Sequence, residues 1–270
     1  MSIERSPRLG LLNIMSSPAY LKTEHQWRDA LADFVDIVPV RFDDDPRDEF
    51  SRVDLDDWTY PISEVASTLD GLIITGANLE LYPDGRELHF DRISYFCQLN
   101  EVIHWTVSEK RLSVFSCLAS HIALKSLVDL DRNIQADKTF GVFEHHCATQ
   151  SWITSGLDTH VVKAPHSRWG NIDTDRVLAS GLDVVADSDE VGWLIAEASF
   201  GRGKAVFLQG HPEYQRDDLY NEYRRDQAKS GVPKNYFTDN IPTKLPEYSW
   251  ADDANILFRN IGSIVTGERA

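Results

Sequence analysis

The 270-residue sequence has few cysteines, few basic residues and no long apolar run. Its three cysteines are too sparse for a disulfide framework and cannot all pair with one another, so we expect a reducing compartment. The apolar stretch near the N-terminus covers only about five residues, which is too short for a signal-peptide core or a membrane span. We therefore expect a cytoplasmic protein with no membrane partner.

The shortage of basic residues argues against a second class of partner. The chain carries 27 Lys and Arg against 43 Asp and Glu, a net charge of −16, whereas nucleic-acid binding requires cations that neutralise many phosphates. The composition, 42% hydrophobic and 26% charged, is that of a globular protein. Because no repeat, low-complexity tract or long linker separates the halves, we expect one domain over residues 1–270 and no nucleic-acid partner.

Short apolar runs alternate with segments of helical period, which predicts an α/β fold with a mostly parallel sheet flanked by helices. In the first half we predict strands at 9–14, 35–40, 70–76 and 112–115, helices at 23–34 and 89–105, and a solvated loop at 42–57. The second half is less regular. There we predict short β pieces at 140–143, 152–153 and 161–163, strands at 184–186, 191–195 and 204–208, a hairpin turn at 201–203, and helices at 215–229 and 253–265.

The strongest local signal surrounds Cys117. A predicted strand ends at this residue and an amphipathic helix follows at once, with small residues such as Ala119 and Ser120 next to the turn. This pattern is typical of a nucleophile elbow, which presents a side chain at the edge of a parallel sheet. A thiol at a helix N-terminus also lies at the positive end of the helix dipole, which favours its thiolate. The alternative is a small buried cysteine of the core.

A cysteine nucleophile usually needs a histidine base, and His211 follows the predicted strand at 204–208. Glu213 lies two residues further on, so in an extended segment both side chains fall on the same side. Glu213 could then hold the imidazole in one tautomer. The alternative is an ordinary surface loop.

The order of Cys117, His211 and Glu213 is similar to that of the class I glutamine amidotransferase fold, a flavodoxin-like three-layer architecture. The elbow reads Ser-Cys-Leu-Ala-Ser and lacks the glycines that flank the amidotransferase cysteine, which disfavours a glutaminase. The chain more closely resembles the homoserine O-acyltransferases, which share that fold. The matching segments are 10–15, 23–24, 70–77, the cysteine elbow, Lys138 with 141–146, 165–168, 210–214 and 222–226.

This resemblance implies roles for the matching residues. Cys117 would form an acyl-thioester, His211 would act as general base, and Glu213 would orient it. The other implied substrate contacts are Lys138, Ser167, Glu222, which would receive the ammonium of the acceptor, and Arg225, which would bind its carboxylate with both arms of the guanidinium. We expect Glu222 and Arg225, one helical turn apart, to point the same way.

The oxyanion of each acyl-transfer step needs hydrogen-bond donors. The backbone N–H of Leu118, directly after the nucleophile, is one candidate, and the turn at 76–78, ending in Asn78, is the other. We expect no metal site and no permanently bound cofactor. The run Glu144-His-His-Cys contains ligating residue types, but consecutive side chains of an extended segment point to opposite faces.

The identity of the acyl donor depends on Glu80. The resemblance implies that a glycine at this position leaves room for a succinyl group, whereas a glutamate occupies the space with a like charge. Acetyl-CoA is therefore the expected donor and L-homoserine the expected acceptor, with a homodimer as the expected assembly. Departures near residues 16–20 and 78–91 leave three alternatives open: succinyl-CoA as donor, serine or another hydroxylated amino acid as acceptor, and a cysteine-triad amidase or hydrolase.

Overall fold

The structure, a computed structural model, describes residues 6–16, 19–47, 58–148 and 151–267. Its strands are β1 Arg8–Leu12, β2 Asp36–Arg41, β3 Tyr60–Pro61, β4 Gly71–Ile74, β5 Leu112–Ser116, β6 Asn133–Cys147, β7 Val161–Asn171, β8 Asp183–Asp187, β9 Ile195–Phe200 and β10 Gly203–Leu208. Its helices are α1 Tyr20–Leu31, α2 Ile62–Val65, α3 Phe96–Glu109, α4 Leu118–Val128, α5 Thr174–Ala179, α6 Asp218–Ser230 and α7 Ala251–Thr266.

The strands form one ten-stranded sheet in the order β3-β2-β1-β4-β5-β10-β9-β8-β6-β7. The first six strands of this order are parallel, and the remaining pairs are antiparallel. Strands β4 and β5 are buried along their whole length, which explains their continuous apolar sequences. The predicted α/β class with a mostly parallel sheet is confirmed.

Helices cover both faces of the sheet, and each face has its own apolar core. On one face, Leu99 and Ile103 of α3 pack with Ile122 of α4. On the other, Trp27 of α1 packs with Phe258 of α7, their ring centroids 5.8 Å apart and nearly perpendicular. The result is three layers, with the carboxyl ends of the parallel strands meeting at one edge, where ligand sites of such sheets form. None of the helices in the described ranges is long and apolar enough to cross a membrane.

The second half differs from the prediction in three places. The short β pieces at 140–143 and 161–163 are parts of a long antiparallel pair, β6 and β7, whose register shifts between Ile134 and Thr139. Residues 152–154 form a 3-10 helix instead of β structure. The strand predicted at 191–195 begins only at Ile195, because Ser188 and Gly192 exchange backbone hydrogen bonds of 3.1 and 2.8 Å and close a turn.

The first half also needs two corrections. The helix predicted from residue 89 begins at Phe96, after a 3-10 turn at 90–92. The predicted solvated loop contains a buried ion pair, in which the Arg47 and Asp45 side chains are 6% and 9% exposed and 2.5 Å apart. Arg47 also donates to the carbonyls of Asn13 and Met15, both at 2.9 Å, and so ties this loop to the end of β1. Residues 48–57 of the predicted loop lie outside the described residues.

Candidate active site

Cys117 occupies the turn between β5 and α4 with φ 49° and ψ −113°. Positive φ is uncommon for a residue with a Cβ and marks the strained strand-to-helix turn of a nucleophile elbow. The side chain is buried, and the backbone N–H donates to the carbonyl of Leu208 at 2.7 Å. The structure thus places the sulfur at the start of a helix, on the edge of the sheet where the parallel strands end.

The two candidate oxyanion donors flank this turn. Leu118 is the first residue of α4, where backbone N–H groups have no partner within the helix. On the other side, Gly76 lies so close that an added Cβ would be 3.0 Å from the Cβ of Cys117. Only glycine permits this approach, and Asn78 follows two residues later with an exposed side chain. The turn at 76–78 is therefore beside the nucleophile, as the sequence predicts.

His211 reaches the same place from the neighbouring strand. Strands β5 and β10 are paired in parallel with Ser116 opposite Leu208, so the segments that follow them emerge side by side. The backbone N–H of His211 donates to the carbonyl of Pro165 at 2.8 Å, and its Nδ1 is 2.8 Å from Oε1 of Glu213. Both side chains are buried. The geometry brings Cys117, His211 and Glu213 together in triad order.

The protonation of His211 follows from these neighbours. Burial alone lowers its pKa, but the carboxylate of Glu213 and the sulfur of Cys117, which lies within hydrogen-bonding reach, outweigh burial and raise the pKa well above its ordinary value. With Nδ1 engaged by Glu213, the other ring nitrogen is the one available to the sulfur. Such a pair can activate a nucleophile and exchange protons with a leaving group and an incoming hydroxyl.

Replacing Glu213 with glutamine tests this electrostatic account. In E213Q the carboxylate that raises the pKa of His211 is lost while burial remains, so the pKa should fall below that of the wild type. A raised histidine pKa stabilises the fold below about pH 6.5, the pKa of unfolded histidine, and this contribution disappears as pH rises through the folded pKa. The stability advantage of the wild type over E213Q should therefore shrink from pH 6 towards alkaline pH.

NMR titration of the His211 ring and urea unfolding at several pH values measure the two effects. The matched control is E144Q, because Glu144 is exposed and pairs with Lys163 at 3.2 Å. E144Q should leave the His211 titration unchanged. An E213Q ring that titrates as in the wild type would show that Glu213 does not control the protonation of His211.

Three predicted substrate contacts meet at the carboxylate of Glu222 on α6. Lys138 donates to Oε2 at 3.3 Å, and the hydroxyl of Ser167 donates to the same oxygen. Lys138 lies at the register shift of β6, where an irregular strand redirects side chains, and Ser167 lies on β7 next to it. Burial raises the pKa of Glu222, but Lys138, Ser167 and Tyr214 outweigh it, and the pKa is lowered.

Arg225 does not share this environment. Its guanidinium is 55% exposed and binds Asp226 with two hydrogen bonds of 2.8 and 2.6 Å, whereas the Glu222 side chain is only 12% exposed. Adjacent residues do not face each other on a regular helix, and the pairing coincides with non-helical φ and ψ of −110° and 18° at Asp226. The expectation that Glu222 and Arg225 point the same way is not met in this structure.

The structure adds one residue to which the sequence assigned no role. Tyr214 stacks on the ring of His211, with centroids 4.4 Å apart and planes 21° apart, and its hydroxyl donates to Oε1 of Glu222 at 2.6 Å. Its position directly after Glu213 was the available signal. The partner Glu222, however, lies on a different element, and no local pattern shows that contact.

Glu80 is buried beneath the elbow helix. Its two carboxylate oxygens accept from the backbone N–H groups of Trp169 at 2.9 Å and Gly170 at 2.6 Å. A Cβ at Gly170 would lie 2.8 Å from Glu80 Oε1 and 3.2 Å from His121, one turn beyond Cys117 on α4. The carboxylate therefore has a fixed orientation close to the helix that carries the nucleophile.

The suggested ligand run at Glu144 to Cys147 splits as expected for a strand. His145 is buried and its ring stacks on His166, while Glu144 and His146 are exposed. Within the described ranges, no group of three or more His, Cys, Asp or Glu is placed to hold a metal ion. Of the other cysteines, Cys97 is exposed on α3, contrary to the expectation of a packed position.

Comparison with known proteins gives a consistent result. The family model described as homoserine O-succinyltransferase matches residues 3–265. A homoserine O-succinyltransferase from Pseudoalteromonas translucida (strain TAC 125) is 35% identical over 266 residues, covering 95% of this chain and 81% of the relative. A homoserine O-acetyltransferase from Catenibacterium mitsuokai is 35% identical over 203 residues, covering 72% of this chain and 62% of the relative.

Solved structures show the same fold at low sequence identity. A glutamine amidotransferase from Methylobacillus flagellatus superposes with a TM-score of 0.60 at 11% identity, covering 98% of this chain and 96% of the other. One from Thermotoga maritima superposes with a TM-score of 0.54 at 13% identity, covering 98% of both chains. The predicted class I glutamine amidotransferase-like fold is confirmed.

Proposed function

Because the chain belongs to the homoserine O-succinyltransferase family, and so is an acyltransferase, we propose that it transfers an acetyl group from acetyl-CoA to the hydroxyl of L-homoserine. The observation that carries the chemistry is the strained turn at Cys117, which holds the sulfur within reach of His211, itself bonded to Glu213 at 2.8 Å. The acyl-CoA is a co-substrate, and the residues described supply the nucleophile, the base and its orienting carboxylate.

The reaction divides into two displacements. The Cys117 sulfur attacks the carbonyl carbon of the acyl-CoA thioester, and the coenzyme A sulfur leaves with a proton from His211. His211 then takes the proton of the acceptor hydroxyl, whose oxygen attacks the acyl carbon on Cys117. The carbon–sulfur bond breaks, and the cysteine sulfur is restored. Both steps form an oxyanion, which the N–H of Leu118 and the turn ending at Asn78 would stabilise.

The choice of acetyl-CoA rests on Glu80. Its side chain is buried, and two backbone hydrogen bonds hold it against β7, next to the helix that carries the nucleophile. A succinyl group is longer than an acetyl group and ends in a carboxylate, so it would meet both a filled space and a like charge there. Acetyl has neither feature and is compatible with this site.

Succinyl-CoA is the second candidate donor, and two observations favour it. The relative from Pseudoalteromonas translucida is named a succinyltransferase. In addition, two buried guanidiniums, Arg132 and Arg168, interact electrostatically with both Glu80 and Cys117. Burial lowers the pKa of Arg168 to about 10, so this group remains a cation at neutral pH and offsets part of the Glu80 charge. A direct assay must decide between the donors.

The assay measures coenzyme A release with acetyl-, succinyl- and malonyl-CoA, each combined with homoserine, serine and larger amino alcohols. The wild type should prefer acetyl-CoA and homoserine. Equal or better use of succinyl-CoA would overturn the donor assignment, and preference for serine would overturn the acceptor. Coenzyme A release without an acceptor product, at the same rate with and without acceptor, would favour the hydrolase.

The variant E80G makes the donor argument directly testable. Removing the side chain opens space and removes a charge next to two buried guanidiniums, so the ratio of kcat/KM for succinyl-CoA over acetyl-CoA should rise by at least about tenfold. The matched control is E87G, because Glu87 lies in the same loop and is one-third exposed. A ratio that stays constant in E80G would remove Glu80 as the determinant.

A further inference from the structure

Tyr214 contacts both functional groups of the candidate site. Its ring lies parallel to the imidazole of His211 at a centroid distance of 4.4 Å. Its hydroxyl donates to Oε1 of Glu222 at 2.6 Å, while Lys138 and Ser167 donate to the other oxygen, Oε2. A single side chain thus connects the proposed base with the carboxylate proposed to receive the acceptor ammonium.

The backbone holds Tyr214 in this position. Its N–H donates to the carbonyl of His211 at 3.1 Å, which closes a turn, and its carbonyl accepts from Nε1 of Trp250 at 2.9 Å. Trp250 is fully buried at the start of α7. Because both backbone groups of Tyr214 are bonded, the ring is fixed relative to the triad and not only to its own loop.

The hydroxyl is suited to act only as a donor. Burial and the neighbouring Glu222 raise the pKa of Tyr214 well above its ordinary value, so the phenol keeps its proton. A hydrogen bond from a neutral donor to a carboxylate is stronger than one between neutral groups. The bond therefore fixes the rotation of the Glu222 carboxylate and leaves its negative charge in place for a cation.

We propose that Tyr214 is a positioning residue that links the two halves of the reaction, its ring orienting His211 and its hydroxyl orienting Glu222 towards the ammonium of the acceptor. This inference rests on the proposed function, because it takes His211 as the base and Glu222 as the acceptor ligand. The two contacts act at different stages. Formation of the acyl-enzyme requires His211 but no acceptor, whereas transfer to homoserine requires both groups.

Two substitutions separate the ring from the hydroxyl. In Y214F the ring remains, so the acyl-enzyme should form within about twofold of the wild-type rate, while kcat/KM for homoserine falls about tenfold through a higher KM. In Y214L the ring is lost as well, so acyl-enzyme formation should slow, and the NMR titration of His211 should move to lower pH because a parallel aromatic face favours the imidazolium. Stopped-flow mass analysis measures the first step.

A double-mutant cycle with E222Q identifies the route. If the hydroxyl acts through Glu222, adding Y214F to E222Q should cause no further loss for homoserine. The matched control is Y248F, which removes the hydroxyl of a surface tyrosine bonded to Gln215 at 3.3 Å and should leave both steps unchanged. Thermal unfolding of each variant identifies loss of fold, and a Y214F protein that fails to fold would overturn the positioning role in favour of a structural one.

Three results would overturn the proposal: equal loss in both half-reactions of Y214F, no loss in either, or additive losses in the double mutant. The proposed function fails in a different way. If the wild type forms no acyl-enzyme from any acyl-CoA, the acyltransferase assignment is wrong whatever the Tyr214 variants do. The wild-type measurement therefore distinguishes the two failures.

Discussion

Replacing Cys117 with alanine should lower acyl transfer from acetyl-CoA to homoserine by at least about 10³-fold, because the reaction then has no nucleophile to form the thioester. The substitution removes only a sulfur atom at a turn whose backbone N–H is bonded to Leu208 at 2.7 Å, so the fold should survive. Intact-mass measurement after incubation with acetyl-CoA should show one acetyl addition in the wild type and none in C117A.

The chain supplies two matched controls for this experiment. Cys97 is an exposed thiol and Cys147 a half-buried one, whose pKa is raised by burial. C97A and C147A should keep both the acetyl adduct and the activity. If the adduct persists in C117A, or disappears in C97A instead, the nucleophile is not Cys117. Full activity in C117A without any adduct would indicate direct transfer and exclude the two-step route.

Replacing His211 with asparagine should slow the reaction by about 10²- to 10⁴-fold, the usual contribution of a general acid–base group. His211 is proposed to give its proton to the coenzyme A sulfur and to take the proton of the acceptor hydroxyl, so both half-reactions should slow. Single-turnover measurement of acyl-enzyme formation, followed by addition of homoserine, gives the two rates separately.

The comparison for H211N is H146N, since His146 is an exposed histidine on β6. H146N should retain both rates. The loss in H211N should also depend on Glu213, so the variants E213Q and H211N should not be additive. Additive losses would mean that Glu213 stabilises the fold or the substrate without acting through the imidazole, and unchanged rates in H211N would require another base.

The prediction of the elbow shows what local sequence can determine. The strand at 112–115 and the helix after Cys117 differ in hydrophobic period within a few residues, so their boundary is readable from the chain. Much of the first half follows from the same kind of signal, because parallel strands buried on both faces are continuously apolar. The antiparallel pair β6 and β7 has weaker patterning and was predicted only as short pieces, because the register shift between Ile134 and Thr139 interrupts its alternation.

The acceptor side of the site shows the limit of that reasoning. Lys138 and Ser167 are 84 and 55 residues from Glu222 along the chain, and each was named only through a family resemblance. Their meeting depends on the β6 irregularity and on the packing of α6 against it. The same long-range geometry buries Glu222, exposes Arg225 and directs the Tyr214 hydroxyl onto Glu222, none of which a local pattern encodes.

The sequence alone therefore determined the fold class, the nucleophile turn and the His-x-Glu pair, because each depends on hydrophobic periodicity or on residues within one turn. Tertiary structure decided which of these groups share an environment. The parallel pairing of β5 with β10 brings Cys117 beside His211, and the stacking of Tyr214 connects that pair to Glu222. The physical reason is that side-chain convergence depends on strand order and register, which are set by the packing of the whole chain.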